Sequence, residues 1–265
     1  MKKIKDFLLL LKAELNRDFI FMKRYPLEPI SFLFFMYLIL LAILFGFHQL
    51  AGEGILNREK MILGYSLMQF VLSTQMGWSG QIQNESQTGT LEQLSISGHT
   101  LGEVLMARGF SQFPRQVVSF FILLNAYTFS LKNLNFHLTE TFVYVILHLF
   151  VMAIGIFGMS YLFAGITLLY KRVGFFFQIV NFAFLGLFWQ DRSSLGFGVM
   201  QIIYDHFPLT IGMAALQNLF TPNSNPLNVD WLYFILHSLV FCVIGYTGFY
   251  FMERRARRLG LLSQY

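Results

Sequence analysis

The stretch FVYVILHLFVMAIGIFGMSYLFAGITLLY, residues 142–170, contains no charged side chain. A helix rises 1.5 Å per residue, so one of this length exceeds the roughly 30 Å hydrocarbon core of a bilayer and can cross it with some tilt. The stretch therefore predicts a transmembrane helix, and the rest of the chain can be interpreted around it.

The composition of the whole chain agrees with a membrane location. Of its 265 residues, 55% are hydrophobic, 12% are charged and 18% are aromatic, and the mean hydropathy is +0.56. A soluble domain carries about 25% charged residues, so an ordinary cytosolic globule is excluded. The aromatic content excludes a disordered chain. The basic charge clusters beside apolar runs and lines no exposed face, which excludes a nucleic-acid-binding protein.

The hydropathy pattern predicts an all-α polytopic membrane protein that forms a single transmembrane domain over 1–265. Residues 3–24 have apolar side chains at i, i+3, i+4 spacing among basic ones, which is typical of an amphipathic helix in the lipid headgroup layer. The hydropathy pattern of segment 191–228 is typical neither of a membrane span nor of a loop. The predicted membrane spans are 30–50, 61–80, 110–131, 140–170, 173–190 and 231–252.

The basic residues divide unequally between the two faces of this arrangement. Six spans place fifteen of the 19 Lys and Arg residues on the face that holds both termini and four on the other. Cytoplasmic loops carry the excess of Lys and Arg, so we expect a multi-pass protein of the plasma (inner) membrane with both termini cytoplasmic. The basic tail at 253–258 then serves as an anchor against anionic lipid.

The polar segment between the second and third spans predicts a short docking helix. Thr88 or Gly89 can cap its start, and Glu92 falls in the first turn, where a carboxylate complements the helix dipole. Leu91 and Leu94 then lie on one side of a helix of about two turns. We interpret leucines on a cytoplasmic helix as the contact surface for a partner protein.

The motif Glu85-x-x-x-Gly89-Thr90-Leu91-Glu92-x-Leu94, placed after the second of six spans, resembles the coupling-helix signature of the ABC-2 type permeases. These are the membrane subunits of type V ABC exporters. The resemblance implies a coupling helix at 85–98. The stretch FPLTIGMAALQ at 207–217 is similar to the family's proline-led outer segment, which implies re-entrant or surface helices within 191–228.

Two positions depart from the family pattern. Gly98 stands where the family commonly has a proline, and since glycine also ends a helix, docking is unaffected. Gln217 stands where the family commonly has an arginine, so the gating role of that arginine is not implied for this chain.

The resemblance implies a permease that depends on a separate motor. The chain contains no G-x-x-x-x-G-K-[ST] string, so we expect no ATPase site, no catalytic residue and no cofactor of its own. The implied partners are membrane lipids, a second permease subunit, most simply as a homodimer, and two copies of an ABC ATPase subunit that binds ATP and Mg²⁺. The implied contacts with the ATPase are Glu85, Gly89, Thr90, Leu91, Glu92 and Leu94.

The candidate substrate path comes from spans one, two and five. Aromatic side chains favour a hydrophobic or amphipathic cargo such as a drug, an antimicrobial peptide or a lipid-linked molecule. Export of an ion or a polysaccharide is the alternative within the family, and a membrane sensor or immunity protein that transports nothing is the alternative outside it. The candidate path residues are Phe35, Tyr65, Met68, Phe175, Gln178 and Asn181.

The remaining polar side chains inside the spans favour interhelical hydrogen bonds over a site of their own. Gly158-Met-Ser160 with a histidine could indicate an intramembrane serine protease, but Gly-x-Ser is common in membrane helices. The scattered histidines show no spacing typical of a metal site, so we expect none. The polar side chains concerned are His48, Gln69, Gln75, Asn125, His148 and His237.

Overall fold

The computed structural model describes residues 2–51, 58–96, 98–130, 138–170, 173–189, 198–220 and 230–261. Within these ranges the chain forms ten α-helices and no strand. In chain order the helices are α1 (Lys2–Arg24), α2 (Leu27–Ala51), α3 (Arg58–Thr88), α4 (Thr90–Ile96), α5 (Leu101–Ser130), α6 (Leu138–Tyr170), α7 (Gly174–Trp189), α8 (Val199–His206), α9 (Pro208–Phe220) and α10 (Trp231–Arg258).

Three helices of the described ranges are long and apolar enough to cross a membrane, which makes the fold that of a helical membrane protein. They contain Leu27–Gly46, Phe142–Tyr170 and Trp231–Arg258, with mean hydropathies of 2.4, 2.4 and 1.8. These segments match the first, fourth and sixth predicted spans. Helices α3, α5 and α7 occupy the positions of the other three, whose crossing of the membrane stays a prediction.

Two helices extend beyond the membrane spans predicted within them. The third span is predicted from residue 110, and α5 begins earlier, at Leu101. The reason is a capping box, in which the Thr100 amide donates to Glu103 Oε2 at 3.0 Å and the Glu103 amide donates to Thr100 Oγ1 at 3.2 Å. Helix α3 likewise continues past residue 80 to Thr88. Residues 131 and 190, the predicted ends of two spans, lie outside the described residues.

The outer segment contains two helices, α8 and α9. Helix α9 packs inside the bundle, because Leu209 and Leu216 are fully buried. A Cβ atom added to Gly155 of α6 would lie 2.7 Å from Pro208 Cβ, so the start of α9 touches α6 directly. The structure thus shows α9 packed against α6, and the choice between a re-entrant and a surface helix stays a prediction. Residues 191–197 and 221–228 of this segment lie outside the described ranges.

The closest helix contact joins α6 and α10 at two glycines. A Cβ atom on Gly158 would lie 2.2 Å from the Phe241 carbonyl oxygen, and one on Gly245 would lie 1.9 Å from the Gly158 carbonyl oxygen. Only glycine allows the two backbones to approach this closely, as at other small-residue crossings of membrane helices. The contacts run from Gly155 with Ser238 to Gly165 with Met252, so the two helices are parallel.

The helix directions bring the basic segments together at one end of the bundle. Helix α5 is antiparallel to α3, since Thr74 donates to Gln116 Oε1 at 2.9 Å while Glu85 pairs with Arg108 at 2.5 Å. It is also antiparallel to α6. We name the basic end as the one formed by α1, α4, the start of α5 and the ends of α3, α6 and α10. Its described basic residues include Lys12, Arg17, Arg108, Arg115, Arg254, Arg255, Arg257 and Arg258.

Candidate coupling joint and polar cleft

The motif segment forms a sharp turn between α3 and α4. Helix α3 ends at Thr88, whose hydroxyl donates to the Asn84 carbonyl oxygen at 3.0 Å. Gly89 follows with a φ of +72°, in the left-handed region that glycine adopts without steric cost. After α4, Gly98 has a φ of +87°, so it lies at the predicted helix stop in a conformation suited to glycine. The two glycines thus fix the direction of α4.

This geometry corrects the predicted coupling helix at 85–98. The helix is shorter, Thr90–Ile96, and Glu85 belongs to α3. Leu91 is only 2% exposed and Leu94 is half-buried, and both pack with the hydrophobic core. The turn at Gly89 directs the apolar side of α4 into the bundle, so Leu91 lies in the core and Leu94 is only partly exposed. Their contact with a partner stays a prediction. The exposed residues of this turn are Thr88, Gly89 and Gln93.

Thr90 and Glu92 are the two other predicted contact residues of α4, and the structure describes the side chain of Thr90 only. Thr90 is half-buried, and its hydroxyl lies 3.0 Å from that of Thr88, which ties the start of α4 to the end of α3. The backbone of Glu92 is helical, and its side chain lies outside the described residues.

An ion-pair network fastens α1 to α3 and α5 beside this turn. Arg108 of α5 is 3% exposed and pairs through Nε with Glu14 Oε1 of α1 at 3.2 Å. Its Nη2 pairs with Glu85 Oε1 of α3 at 2.5 Å. One guanidinium group therefore joins three helices. Together with two further pairs we name this network the ion-pair joint; the further pairs are Arg17 with Glu14 at 2.8 Å and Arg115 with Asp18 at 3.5 Å.

The ion-pair joint balances three carboxylates against three guanidinium groups in a largely buried place. Burial raises the pKa of Asp18 above its ordinary value, although the neighbouring Arg115 and Arg17 oppose this rise. Burial also lowers the pKa of Arg17, and repulsion by Arg108 adds to the effect. Charges removed from water are tolerated only when each has a close partner, so the buried Arg108 and Glu14 depend on each other most, and Arg17 and Arg115 at the edge of the joint are more exposed.

Sequence reasoning missed the ion-pair joint. Arg108 was counted only among the basic residues of one face, and Glu14 was not singled out. A usable signal was present in both, because each is a charged residue on an apolar helix face. Charged residues are rarely buried without a partner, so two such positions at the same end of the bundle indicate a pair. The sequence could not give their proximity, since they are 94 residues apart.

A polar cleft lies beside the ion-pair joint, bounded by α1, α2, α3 and α5. It consists of an outer cavity of about 510 Å³ and a deeper cavity of about 210 Å³, which share Phe21, Glu28 and Arg115 in their walls. Polar side chains of α3 continue from one cavity into the other on one helix face. They are Glu85, Asn84 and Gln81 in the outer cavity and Ser73 and Gln69 in the deeper one.

The facing wall from α5 is polar as well. Gln112 and Arg115 line the outer cavity, and Gln116 and Ser119 line the deeper one. Gln69 and Gln116 are only 3% and 2% exposed. Within the described part of the chain, Gln69 Oε1 and Gln116 Nε2 have no hydrogen-bond partner. Buried amide groups without partners are costly, so the depth of the polar cleft contains hydrogen-bonding capacity that the surrounding helices leave unused.

The candidate substrate-path residues divide between the core and the outside of the bundle. Tyr65 and Met68 are buried in the core, where the Tyr65 hydroxyl donates to Met36 Sδ at 3.4 Å. Asn181 is also buried, and its amide has no hydrogen-bond partner among the described residues. The remaining three residues, Phe35, Phe175 and Gln178, are exposed on the outside of the bundle.

The other polar residues of the predicted spans pair mostly within their own helices. Asn125 Nδ2 donates to the Phe121 carbonyl oxygen at 2.8 Å, and His148 Nδ1 lies 2.7 Å from the Tyr144 carbonyl oxygen. His237 similarly contacts the backbone of its own helix. Gln75 follows the expectation of an interhelical contact, with Nε2 lying 3.7 Å from Met159 Sδ. The His48 side chain lies outside the described residues.

The serine and the histidines form no constellation for chemistry. Ser160 Oγ donates to the Ile156 carbonyl oxygen at 2.9 Å, and His148 is about 18 Å away along the same helix. Within the described ranges, no three His, Cys, Asp or Glu side chains cluster as metal ligands.

The chain was also compared with known proteins. It matches no model of a known protein family, no curated protein and no solved structure.

Proposed function

We propose that this chain is the membrane-spanning permease subunit of an ATP-driven exporter of the ABC-2 type. It works beside a separate ATPase subunit and pairs with a second permease subunit. In this proposal both termini and the basic end face the cytoplasm, because cytoplasmic segments carry the excess of Lys and Arg. The cargo is hydrophobic or amphipathic.

The observation that supports this proposal best is the connection between α4 and α1. The exposed turn at Thr88–Thr90 begins three residues after Glu85, which is bonded to Arg108, and Arg108 is bonded to Glu14. A protein that binds α4 can therefore act on α1, α3 and α5 together. A motor needs such a rigid connection. ATP binding to the motor can shift the permease between two conformations only if the contacts between the two proteins differ in those conformations.

The buried leucines change how the motor would bind. Leu91 packs with the core and is unavailable to a partner. The proposed docking surface consists of the polar residues Thr88, Gly89 and Gln93 at the tip of the turn. Leu91 then has the role of holding this tip against the bundle.

The exposed apolar faces suit a partner permease and lipid. Only 6% of the Leu27–Gly46 span is buried, and on α7 the side chains of Phe175 and Phe182 are 76% and 71% exposed. Exposed apolar surface of this extent is stable only against lipid or a second protein. The exposed candidate path residues Phe35, Phe175 and Gln178 lie on these helices and are available to a path between two subunits.

The test is capture of the motor. The tagged chain is purified from its native membranes in mild detergent, and the accompanying soluble proteins are identified and assayed for ATP hydrolysis. We expect an ATPase with a G-x-x-x-x-G-K-[ST] motif in equal amount. The variant Gln93→Arg, at the exposed tip, should lose most of the captured ATPase. Asn16→Arg makes the same change at an exposed position of α1 and should retain it.

Two results would contradict the proposal. One is a chain that purifies alone and without ATPase activity from membranes in which it is abundant. The other is equal capture of the ATPase by the Gln93→Arg variant, which would remove α4 as the docking element.

A further inference from the structure

We infer that the polar cleft between α1, α2, α3 and α5 binds an amphiphile with a primary ammonium headgroup, with Glu28 as its counter-ion and the Gln69 amide as a hydrogen-bond acceptor. The inference rests on the proposed function only in identifying this ligand as cargo. Binding itself requires no motor.

The shape of the polar cleft fits an amphiphile. Gln69 lies about 24 Å along α3 from Glu85, so the polar lining extends from the basic end far into the predicted membrane span. Phe32 and Leu33 of α2 form an apolar wall along the deeper cavity. A polar headgroup can thus lie along α3 and α5 while a hydrocarbon tail contacts α2.

The charges of the polar cleft favour a cation. Its walls contain the carboxylates of Asp18, Glu28 and Glu85 and the guanidinium groups of Arg17 and Arg115. Four of these five groups pair within the ion-pair joint. The Glu28 carboxylate has no ion-pair partner in the described part of the chain. It lies exposed in the first turn of α2 and in the wall of both cavities, where its negative charge is open to a cationic ligand.

The hydrogen-bonding groups favour an ammonium ion that can donate. Acceptors with no partner among the described residues are Gln69 Oε1, Gln81 Oε1 and Gln112 Oε1, and the Glu28 carboxylate adds a charged one. Gln116 Nε2 is the corresponding donor without a partner. Each of these glutamines also carries an amide N–H donor, so the amides alone select no ligand. The Glu28 carboxylate only accepts hydrogen bonds, and it matches a primary ammonium group, which has three N–H donors and no acceptor. A quaternary ammonium has the charge but cannot donate.

The experiment uses the full chain alone, reconstituted in phosphatidylcholine nanodiscs without an ATPase. A photoreactive dodecylammonium is crosslinked to the protein, and the labelled peptides are mapped. We expect labelling of α2, α3 and α5 along the polar cleft. Unlabelled dodecylammonium should compete best, dodecyltrimethylammonium should compete more weakly, and dodecyl sulfate should not compete.

Two variants test the assigned groups. Glu28→Gln should weaken dodecylammonium binding by about tenfold or more, the scale of one lost charged hydrogen bond. Gln69→Leu should weaken dodecylammonium binding as well. Leucine makes the cleft more apolar and would strengthen binding that relied only on partitioning of the tail, so weaker binding shows that hydrogen bonding contributes. Asp6→Asn, which removes a carboxylate of α1 outside the polar cleft, should bind like the unchanged chain.

The inference is overturned if both Glu28→Gln and Gln69→Leu bind dodecylammonium like the unchanged chain, or if dodecyl sulfate competes equally well. Folding of each variant is checked by its elution as a single species and by its thermal unfolding. Because no ATPase is present, loss of probe binding contradicts this inference alone, and failure to capture an ATPase contradicts the proposed function alone.

Discussion

At the scale of single residues, Arg108 joins three helices through its ion pairs with Glu14 and Glu85. Its guanidinium group is buried between a carboxylate of α1 and one of α3. An uncharged side chain at this position would leave Glu14 and Glu85 without their main partner. Desolvated charges need a compensating partner. The Glu14 and Glu85 carboxylates therefore depend on Arg108, and the Arg108 guanidinium group depends equally on them.

We therefore expect Arg108→Gln to destabilise the protein strongly. Removing one partner of a buried ion pair costs about 3–5 kcal/mol, because the remaining charges stay desolvated. The measurement is thermal unfolding in detergent, followed by tryptophan fluorescence, to which the buried Trp78 contributes. Arg255→Gln, at an exposed position of α10, is the matched control and should change stability by less than about 0.5 kcal/mol. Equal melting temperatures for the two variants would show that Arg108 is not essential to the ion-pair joint.

Asp18 gives a prediction of pH dependence. Burial raises its pKa above the ordinary value of 3.8, so the folded state binds this proton more tightly than the unfolded state. Stability then decreases as the pH rises through the interval above 3.8 up to the raised pKa. Asp18→Asn removes this decrease, so the variant should match the unchanged chain at about pH 4 and be at least as stable at about pH 7.

The measurement for Asp18 is the melting temperature of both proteins across this pH range, with Asp6→Asn as a control on the same helix. A variant that becomes progressively less stable than the unchanged chain as the pH rises would contradict the prediction. It would mean that attraction by Arg115 and Arg17 outweighs the burial of the carboxylate.

At the scale of helices, the contact between α6 and α10 depends on the absence of two side chains. Gly158 and Gly245 bring the backbones together, and helix association in lipid relies on close packing because apolar side chains gain nothing by leaving an apolar solvent. Any side chain at the crossing separates the helices over their whole length.

We expect Gly245→Ala to destabilise the protein by at least about 1–3 kcal/mol, the usual cost of overpacking. The added methyl group would meet the backbone of Gly158, which cannot move aside as a flexible side chain could. The yield of monodisperse protein in detergent and its melting temperature measure the effect. Gly46→Ala is the control, because a Cβ atom there meets nothing within 4 Å. A Gly245→Ala variant as stable as Gly46→Ala would show that the helices are not in backbone contact.

The helices also show what could be predicted from the sequence and what could not. The apolar stretch 142–170 predicts α6 because length and hydropathy are local properties, and α2 and α10 follow in the same way. Hydropathy could not give the start of α5, because the helix begins in a polar segment at the cap formed by Thr100 and Glu103, ahead of the apolar stretch that predicts a span. The direction of Leu91 could not be predicted, since it depends on how the turn at Gly89 orients α4 against the bundle.

At the scale of the whole molecule, the helix directions and the charge distribution agree. Helices α6 and α10 are parallel, and α5 is antiparallel to α3 and α6. This is the arrangement expected if α3, α6 and α10 cross toward the basic end and α5 crosses away from it. The contacts between the helices are independent of any membrane, and they bring most of the described basic residues to one end, whereas Arg58 and Lys60 lie at the start of α3. Under the positive-inside rule, this distribution supports the proposed cytoplasmic location of the basic end.

We expect cysteine labelling in intact cells to confirm this orientation. The natural thiol at position 242 is first removed as Cys242→Ser, so that a single introduced cysteine reports its own side. Val199→Cys lies on α8 at the other end of the bundle, where the native side chain is 72% exposed, and a membrane-impermeant maleimide should label it in intact cells. Gln93→Cys lies at the exposed turn of the basic end and should react only after the cells are permeabilised. Labelling of Gln93→Cys in intact cells would reverse the topology and place α4 where no cytoplasmic motor could reach it, so the same result would also refute the proposed coupling.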